Sequence, residues 1–130
     1  MKINDRYLFK AIDTNSVWRT GLLIALKGNR CAIEESDGSK WACDAKTLCQ
    51  CTGLKDKNGK LIWENDIVRD KEGNCYKAFW QNNYYQFSWI CVKSDIFQIG
   101  TKWDLYIWRS FEIAVIGNIF DNPELLESEE

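Results

Sequence analysis

The sequence predicts a mostly β protein, built either as a small barrel or as two antiparallel sheets, with a short helical turn near the C-terminus. Short apolar runs recur along the chain and are separated, about every eight to twelve residues, by turns that contain Gly, Asn or Asp. Hydrophobic residues make up 45% of the 130 residues, which is too many for a disordered chain. Only one Pro is present and no linker is visible, so we predict a single domain over residues 1–130.

Four strands are predicted in the first part of the chain, where large apolar residues alternate or cluster between turns. They are Tyr7–Ile12, Val17–Leu26, Arg30–Glu35 and Lys40–Cys43. Gly21 interrupts the second of these strands, which favours a bulge or a bend at that position. Asp37-Gly38 predicts the hairpin turn that joins the third strand to the fourth. The residues that follow, Asp44–Leu48, are expected to form one helical turn.

The middle of the chain predicts tight turns that lead into further strands. Asn58-Gly59 suits a two-residue turn with positive φ at both positions. Asn65 is expected to adopt the left-handed region just before a strand that begins at Ile67. A further hairpin turn is predicted at Glu72-Gly73-Asn74.

The second half predicts a pair of strands, an irregular region and a last core strand. The strands are Cys75–Trp80, Tyr84–Val92 and Ile107–Ile116. Lys93–Tyr106 mixes apolar and polar residues, so we expect either a loop with one helical turn or an irregular edge strand. The C-terminal helical turn is predicted to begin at Pro123, with Asn122 as its cap.

The absence of histidine excludes several kinds of site, because a Ser-His-Asp triad, a Cys-His dyad and a His-ligated metal all require that side chain. No phosphate-binding loop is present, since neither Gly53 nor Gly59 is followed by Lys and then Ser or Thr. The candidate acids are Asp56, Glu64, Asp66, Asp70, Asp104, Glu112 and Asp121. Nothing in the sequence places two of them across a cleft. We therefore expect no enzymatic activity, no cofactor and no metal.

The charge balance argues against binding to nucleic acid through bulk charge. Seventeen Lys and Arg stand against nineteen Asp and Glu, so the formal net charge is −2. Neutralisation of phosphates requires clustered basic residues. The charged N-terminus leaves no room for the apolar core of a signal peptide, and no apolar run approaches the ~20 residues that cross a bilayer. We expect a soluble cytoplasmic protein with no membrane contact.

The six cysteines are expected to be reduced thiols, because no secretion signal accompanies them. Cys49 and Cys51 form the only close pair, and one intervening residue is too few for a zinc knuckle. In a strand these two thiols would share a face. The sequence leaves open whether the pair is structural or serves as a metal or redox site.

The seven tryptophans suggest a surface for contact with other protein chains. Trp is large and seldom fully buried, and seven exceed what one small core usually holds. Exposed apolar patches mark interaction sites. The predicted surface for self-association consists of Ile96, Phe97, Trp103 and Trp108.

The alternative hypothesis is binding of single-stranded nucleic acid by a β-barrel module. Tyr85, Phe87 and Trp89 would line one face of a strand and form a stacking platform for bases. One aromatic face is also what a core strand looks like, and the low pI of about 5.3 disfavours a nucleic-acid partner.

Three segments resemble the YopX-type phage proteins. CTGLKDKNGKLIWENDIVR at Cys51–Arg69 and VIGNIFDNPELL at Val115–Leu126 resemble the two signatures of that family. The opening RYLFKAIDTNSVWRTGLL, Arg6–Leu23, is similar to the usual start of the family. Two residues depart from the pattern: Cys51 stands where an aromatic residue is more usual, and Asn65 replaces a common Gly. Asn tolerates the left-handed region, so the turn geometry is retained.

The resemblance implies a small, mostly β protein encoded by a phage or prophage and assembled into an oligomer. It implies no enzymatic activity, cofactor or catalytic residue, so no functional residue is carried over. The leading hypothesis is a phage or prophage accessory protein of unknown biochemical activity that acts as a homo-oligomeric interaction or structural protein. It would work in the cytoplasm of the bacterial host, with a host or phage protein as a further partner.

Overall fold

The computed structural model describes residues 4–104 and 112–126. The chain divides into two compact units, Met1–Gly53 and Leu54–Glu130. The described strands are β1 (Phe9–Asp13), β2 (Trp18–Lys27), β3 (Arg30–Glu34), β4 (Lys40–Lys55), β5 (Leu61–Trp63), β6 (Asp66–Arg69), β7 (Cys75–Gln81), β8 (Gln86–Lys93), β9 (Lys102–Asp104) and β10 (Ala114–Asn118). The described helical residues form only short 3-10 turns, so the mostly β prediction is confirmed.

In the first unit, an antiparallel sheet closes on itself. β1 pairs with β2, β2 with β3 and β3 with β4, and β4 returns to pair with β1. The small-barrel alternative therefore describes this unit. The core inside the closed sheet contains Ala11, Cys31, Ile33 and Cys43. Larger, partly buried side chains pack against this cluster: Phe9, Leu23, Trp41 and Leu48.

Gly21 lies where β2 passes very close to the end of β3. A Cβ at this position would overlap the carbonyl oxygen of Glu34 and lie 2.8 Å from its carbonyl carbon. The predicted irregularity is present, but the register of β2 with β3 shifts between Leu23 and Ala25, just beyond the glycine. Gly21 itself is required for close approach of two backbones.

The predicted helical turn at Asp44–Leu48 is wrong, because this stretch belongs to β4. Asp44 Oδ1 accepts a hydrogen bond from the N–H of Lys46 at 2.9 Å. The Thr47 hydroxyl donates to the carbonyl of Asp44 at 2.7 Å and accepts the N–H of Ile12 at 2.8 Å. These bonds hold an irregularity in the pairing of β1 with β4, where the register shifts between Lys10 and Ile12. Asp44 and Thr47 make the side-chain hydrogen bonds that are typical of a turn, but the backbone continues as a strand with a bulge at this point.

The second unit contains a five-stranded antiparallel sheet in the order β10-β6-β7-β8-β9. The buried core on one face of this sheet contains Ile62, Val68, Tyr76, Ala78, Trp89, Cys91 and Ile113. Of the two expectations for Lys93–Tyr106, the structure combines parts of both: residues 94–101 form a loop, and Lys102–Asp104 form the short edge strand β9. Residues 105–106 lie outside the described residues.

Four described hairpin loops share one hydrogen-bond pattern. The N–H of the first residue donates to the carbonyl four residues on, and the N–H of the fourth residue donates back to the carbonyl of the first. The first residues of these loops are Asp13, Glu35, Asp56 and Asp70. The fourth residues, all with positive φ, are Ser16, Gly38, Gly59 and Gly73. Each loop is therefore a three-residue hairpin connection whose left-handed residue forms a bulge.

This pattern corrects the prediction of a two-residue turn at Asn58-Gly59. Of these two residues only Gly59 has a positive φ, at 81°. Asn58 does not adopt the left-handed conformation that a two-residue turn of the predicted kind requires. The predicted turn at Glu72-Gly73-Asn74 is confirmed with Gly73 at φ 90°. The predicted left-handed conformation of Asn65 is confirmed as well, at φ 71°.

The C-terminal prediction is confirmed in part. β10 extends the predicted last strand to Asn118, and residues 107–111 of the prediction lie outside the described residues. A 3-10 turn at Pro123–Leu126 follows. Asn122 does not use its side-chain oxygen as a forward cap, since Oδ1 accepts the N–H of Asn118 at 3.2 Å.

Candidate interaction surfaces

The outer face of the first unit is the solvent side of β2, β3 and β4. Cys31, Ile33 and Cys43 are buried in the core, so their neighbours along β3 and β4 point outward. The cross-strand register arranges the outward residues in three rows. The rows are Leu22–Glu34–Lys40, Ala25–Ala32–Ala42 and Lys27–Arg30–Asp44.

The outer face exposes apolar residues on neighbouring strands. Leu22 is 38% exposed, and Ile24, which lies in the bulge of β2, is 44% exposed. Ala25 and Ala42 are exposed at the centre of the face, with Ala32 half-buried between them. Exposed apolar side chains on neighbouring strands make this face a candidate contact surface.

Sequence reasoning missed this surface because Gly21–Leu26 is apolar at nearly every position. A continuous apolar run does not tell which side chains face the core. The available signal was in the next two strands, where Glu34 and Lys40 alternate with core residues and mark the solvent side. Their register with Leu22 places that leucine on the same side.

The residues predicted as the self-association surface differ in their exposure. Ile96 is 71% exposed in the loop after β8. Phe97 and Trp103 are only partly buried, but both pack on the core of the second unit, and their rings meet edge to face with centroids 5.1 Å apart. Trp108 lies outside the described residues. Ile96 is therefore the one residue of the described three that is fully open to a partner.

The predicted stacking platform is not assembled as an open surface. Trp89 is 1% exposed in the core, whereas Tyr85 is 81% exposed in the loop before β8, with φ 52°. Phe87 is half-buried and packs edge to face on Trp80, with ring centroids 5.2 Å apart. The alternation that predicted a common face fails because Tyr85 precedes the strand rather than belonging to it.

The described tryptophans are divided between the two units, which reduces the surplus inferred for a single core. Trp63 and Trp89 are buried in the second unit, and Trp80 is 39% exposed there. In the first unit, Trp41 is half-buried, and the guanidinium of Arg19 lies over its ring at 3.4 Å from the centroid. Stacking of this kind covers an aromatic face without a protein partner.

Three of the shared hairpin loops begin with an aspartate that ties the loop together. In each, Oδ1 accepts the N–H groups of the residues two and four positions on, at 2.8–3.0 Å. The second oxygen has a different partner in each loop. In Asp13 it accepts Arg19 Nε at 2.8 Å, and in Asp56 it accepts the N–H of Val115 at 2.8 Å. In Asp70 it accepts the hydroxyl of Tyr76 at 2.9 Å.

These hydrogen bonds favour the ionised carboxylates. The bond from Arg19, followed by the N–H of Val17, lowers the pKa of Asp13. Burial raises the pKa of Asp56 and of Asp70, but their hydrogen-bond donors outweigh it and the net pKa of each is lowered. The hydroxyl of Tyr76 is held as a donor, since burial and then the bond to Asp70 raise its pKa. These aspartates tie their loops together, and their hydrogen-bond donors favour the ionised carboxylate.

The lowered pKa values predict a loss of stability in acid. The pKa of an unfolded aspartate is about 3.9, and the folded values lie below it. The stabilisation is therefore complete above about pH 4 and is lost as the pH falls through the folded-state pKa values. Urea unfolding midpoints measured from about pH 5 down to about pH 2 should fall less steeply for Asp70→Asn than for the wild type. Asp95→Asn, at an exposed position, is the matched control, and equal slopes for wild type and Asp70→Asn would contradict the prediction.

All six cysteines are buried, and none forms a disulfide. Burial raises the pKa of the Cys43 thiol to about 11 and also raises those of Cys31, Cys75 and Cys91. Such thiols are poor nucleophiles because little thiolate forms at neutral pH. Cys49 and Cys51 are both buried two residues apart in β4, as a shared face requires.

Within the described residues, no helix is long and apolar enough to cross a membrane.

Comparison with known families identifies the chain. A family model described as YopX protein matches residues 8–127. The chain belongs to the YopX family. The match covers most of the chain and spans both compact units, as the resemblance of the three segments implied. No curated protein matches the chain significantly.

The YopX signatures meet one another in the second unit. β10, at the start of the second signature, pairs with β6, at the end of the first. The N–H of Val115 donates to Asp56, and the N–H of Ile119 donates to the carbonyl of Asn65 at 3.2 Å. Asp66 Oδ2 accepts the N–H of Trp63 at 2.8 Å. The polar residues of these YopX signatures thus hold backbone in place, which is a structural role.

Proposed function

We propose that this chain is a phage- or prophage-encoded accessory protein that self-associates into a homo-oligomer and acts through protein contacts rather than catalysis. The observation that carries the proposal is the outer face, where Leu22, Ala25 and Ala42 are exposed on neighbouring strands. Burial of such a surface against another protein removes apolar area from water. A near-neutral net charge of −2 opposes self-association only weakly.

The carboxylates support a role without catalysis. Among the candidate acids, Asp56, Asp66 and Asp70 accept backbone N–H groups at 2.8–3.0 Å. A general acid or base must be able to exchange a proton with a substrate within hydrogen-bond reach. Carboxylates held by backbone donors favour the ionised state and a fixed position instead.

Binding of single-stranded nucleic acid is the weaker candidate. Stacking of a base requires an aromatic face that is open to solvent. Trp89 is 1% exposed, so only Tyr85 and the partly open Phe87 remain of the predicted platform. No observation on these residues favours nucleic acid over protein.

Light scattering on the purified full-length chain tests the proposal. We expect a mass that is a multiple of 15.2 kDa and rises with concentration in the micromolar range. The double variant Ala25→Glu/Ala42→Glu should shift the protein toward the monomer, because it places charge at the centre of the outer face. Both positions are exposed, so the fold should tolerate the change.

The matched control changes exposed apolar residues of the second unit, Ile96→Glu/Ile99→Glu, and should leave association unchanged. Circular dichroism verifies that each variant is folded. A monomeric mass for the wild type at hundreds of micromolar would contradict self-association. Loss of association in the control but not in Ala25→Glu/Ala42→Glu would move the contact to the predicted Ile96 surface.

A further inference from the structure

We propose that the second copy docks on the outer face about a two-fold axis that runs across the strands, along the row Ala25–Ala32–Ala42. This inference rests on the proposed self-association and specifies the partner surface as the same face of an identical chain. Its basis is the distribution of charge in the two rows that flank the alanines.

The charges of β3 and β4 are opposite on the two sides of the alanine row. Glu34 and Lys40 are register partners on one side, and Arg30 and Asp44 are register partners on the other. Each of these rows lies two residues from the alanine row, which is about 7 Å along the strands. On each strand, therefore, one end of the face carries a charge opposite to that at the other end.

A half-turn about the alanine row converts this opposition into complementarity. The operation lays β3 on β3 and β4 on β4 and exchanges the two flanking rows. Glu34 then faces Arg30 of the second copy, and Lys40 faces Asp44 of the second copy. Two-fold symmetry repeats each contact, so an isologous interface contains both pairs twice.

A two-fold axis that coincides with β3 is unfavourable. A half-turn about it keeps each row opposite itself, so Glu34 would face Glu34 and Arg30 would face Arg30, which places like charges together in an interface. A parallel axis midway between β3 and β4 would pair Glu34 with Lys40 and Arg30 with Asp44, but it leaves β2 opposite none of the three strands. The axis along the alanines combines opposite charges with apposition of all three strands of the face.

The charged side chains are available for these contacts. Arg30, Lys40 and Asp44 are exposed and Glu34 is half-buried. Within the described part of the chain, none of the four takes part in an ion pair. Because the alanine side chains are small, the faces of the two copies can approach more closely than the ~10 Å of ordinary face-to-face packing. The longer charged side chains of one copy can then reach those of the other.

The size of the face sets the expected affinity. Three strands about 4.8 Å apart and five residues of about 3.4 Å cover about 250 Å². A typical stable complex buries ~800 Å² on each partner. We therefore expect a weak dimer, with a dissociation constant in the micromolar range or above, whose affinity falls as salt screens the exposed charges.

Charge reversal tests the geometry. Sedimentation velocity over a concentration series at low salt should show that Glu34→Arg and Arg30→Glu each raise the dimer dissociation constant by at least about tenfold, because each variant creates two like-charge contacts. The double variant Glu34→Arg/Arg30→Glu exchanges the two charges and should recover wild-type association to within about threefold. Lys71→Glu and Glu72→Arg change net charge equally at exposed positions of the second unit and should have little effect.

The outcomes separate this inference from the proposed function. A wild-type monomer would overturn both. A wild-type oligomer whose association is unchanged in the single variants, or is not recovered in the folded double variant, would overturn the two-fold arrangement and leave self-association standing. Lys40→Asp with Asp44→Lys repeats the test on β4 if a variant at Arg30 fails to fold.

Discussion

Gly21→Ala should destabilise the first unit by at least about 3 kcal/mol, the upper range for overpacking of a well-packed site. The added Cβ would overlap the carbonyl oxygen of Glu34 and lie 3.0 Å from the Cα of Glu35. Both neighbours are backbone, so no side-chain rotation relieves the overlap. Urea denaturation followed by tryptophan fluorescence measures the loss, since Trp18 and Trp41 both belong to this unit.

Gly28→Ala is the matched control for Gly21→Ala. Gly28 has φ +59°, and a Cβ added there would meet no atom within 4 Å, so alanine adds left-handed strain without a clash. Its expected cost is about 1 kcal/mol. A Gly21→Ala variant no less stable than Gly28→Ala would show that the backbones of β2 and β3 do not approach each other closely at this glycine.

Asp56→Ala should destabilise the second unit by about 3 kcal/mol, because it leaves three backbone N–H groups without their acceptor. Those donors belong to Asn58, Lys60 and Val115. Asp56 is only 6% exposed, so water replaces the carboxylate poorly. The free energy of unfolding from urea titration at neutral pH measures the effect.

Asp37→Ala provides the comparison for Asp56→Ala. Asp37 also lies in a hairpin loop, but its carboxylate is exposed and accepts the N–H of Ser39 at 2.9 Å. We expect a loss below about 1 kcal/mol, because water can replace an exposed acceptor. Equal losses at the two positions would mean that the link from Asp56 to Val115 contributes nothing.

Local chemistry in the sequence predicted most of the strands and several turns. Gly38, Gly73 and Asn65 mark turns because few residues adopt a positive φ easily, and the structure places all three there. The prediction was wrong at Asp44–Leu48, where Asp44 and Thr47 have the side-chain bonds of a turn within a strand. Tertiary pairing with β1 decided that case, and pairing is not visible in a local pattern.

The candidate surfaces were harder to predict than the strands, because exposure depends on partners distant in sequence. Leu22 and Leu23 are adjacent and equally apolar, yet register places Leu22 beside Glu34 and Leu23 beside the buried Ile33. Trp89 belonged to a predicted aromatic face, and the sheet buries it against Ala78. Alternation along one strand predicts two faces without predicting which face is covered.

Because β10 pairs with β6, the sheet of the second unit cannot be completed until the end of synthesis. The hydrogen bond from Val115 to Asp56 joins residues 59 positions apart, so the hairpin that contains Asp56 leaves the ribosome long before its last donor does. Until residues 114–118 emerge, the edge of β6 has no neighbour on that side and can pair with a strand of another nascent chain. Completion of the C-terminal strand thus gives this edge of β6 its neighbour, and chains truncated before Ala114 should aggregate more readily than the full chain.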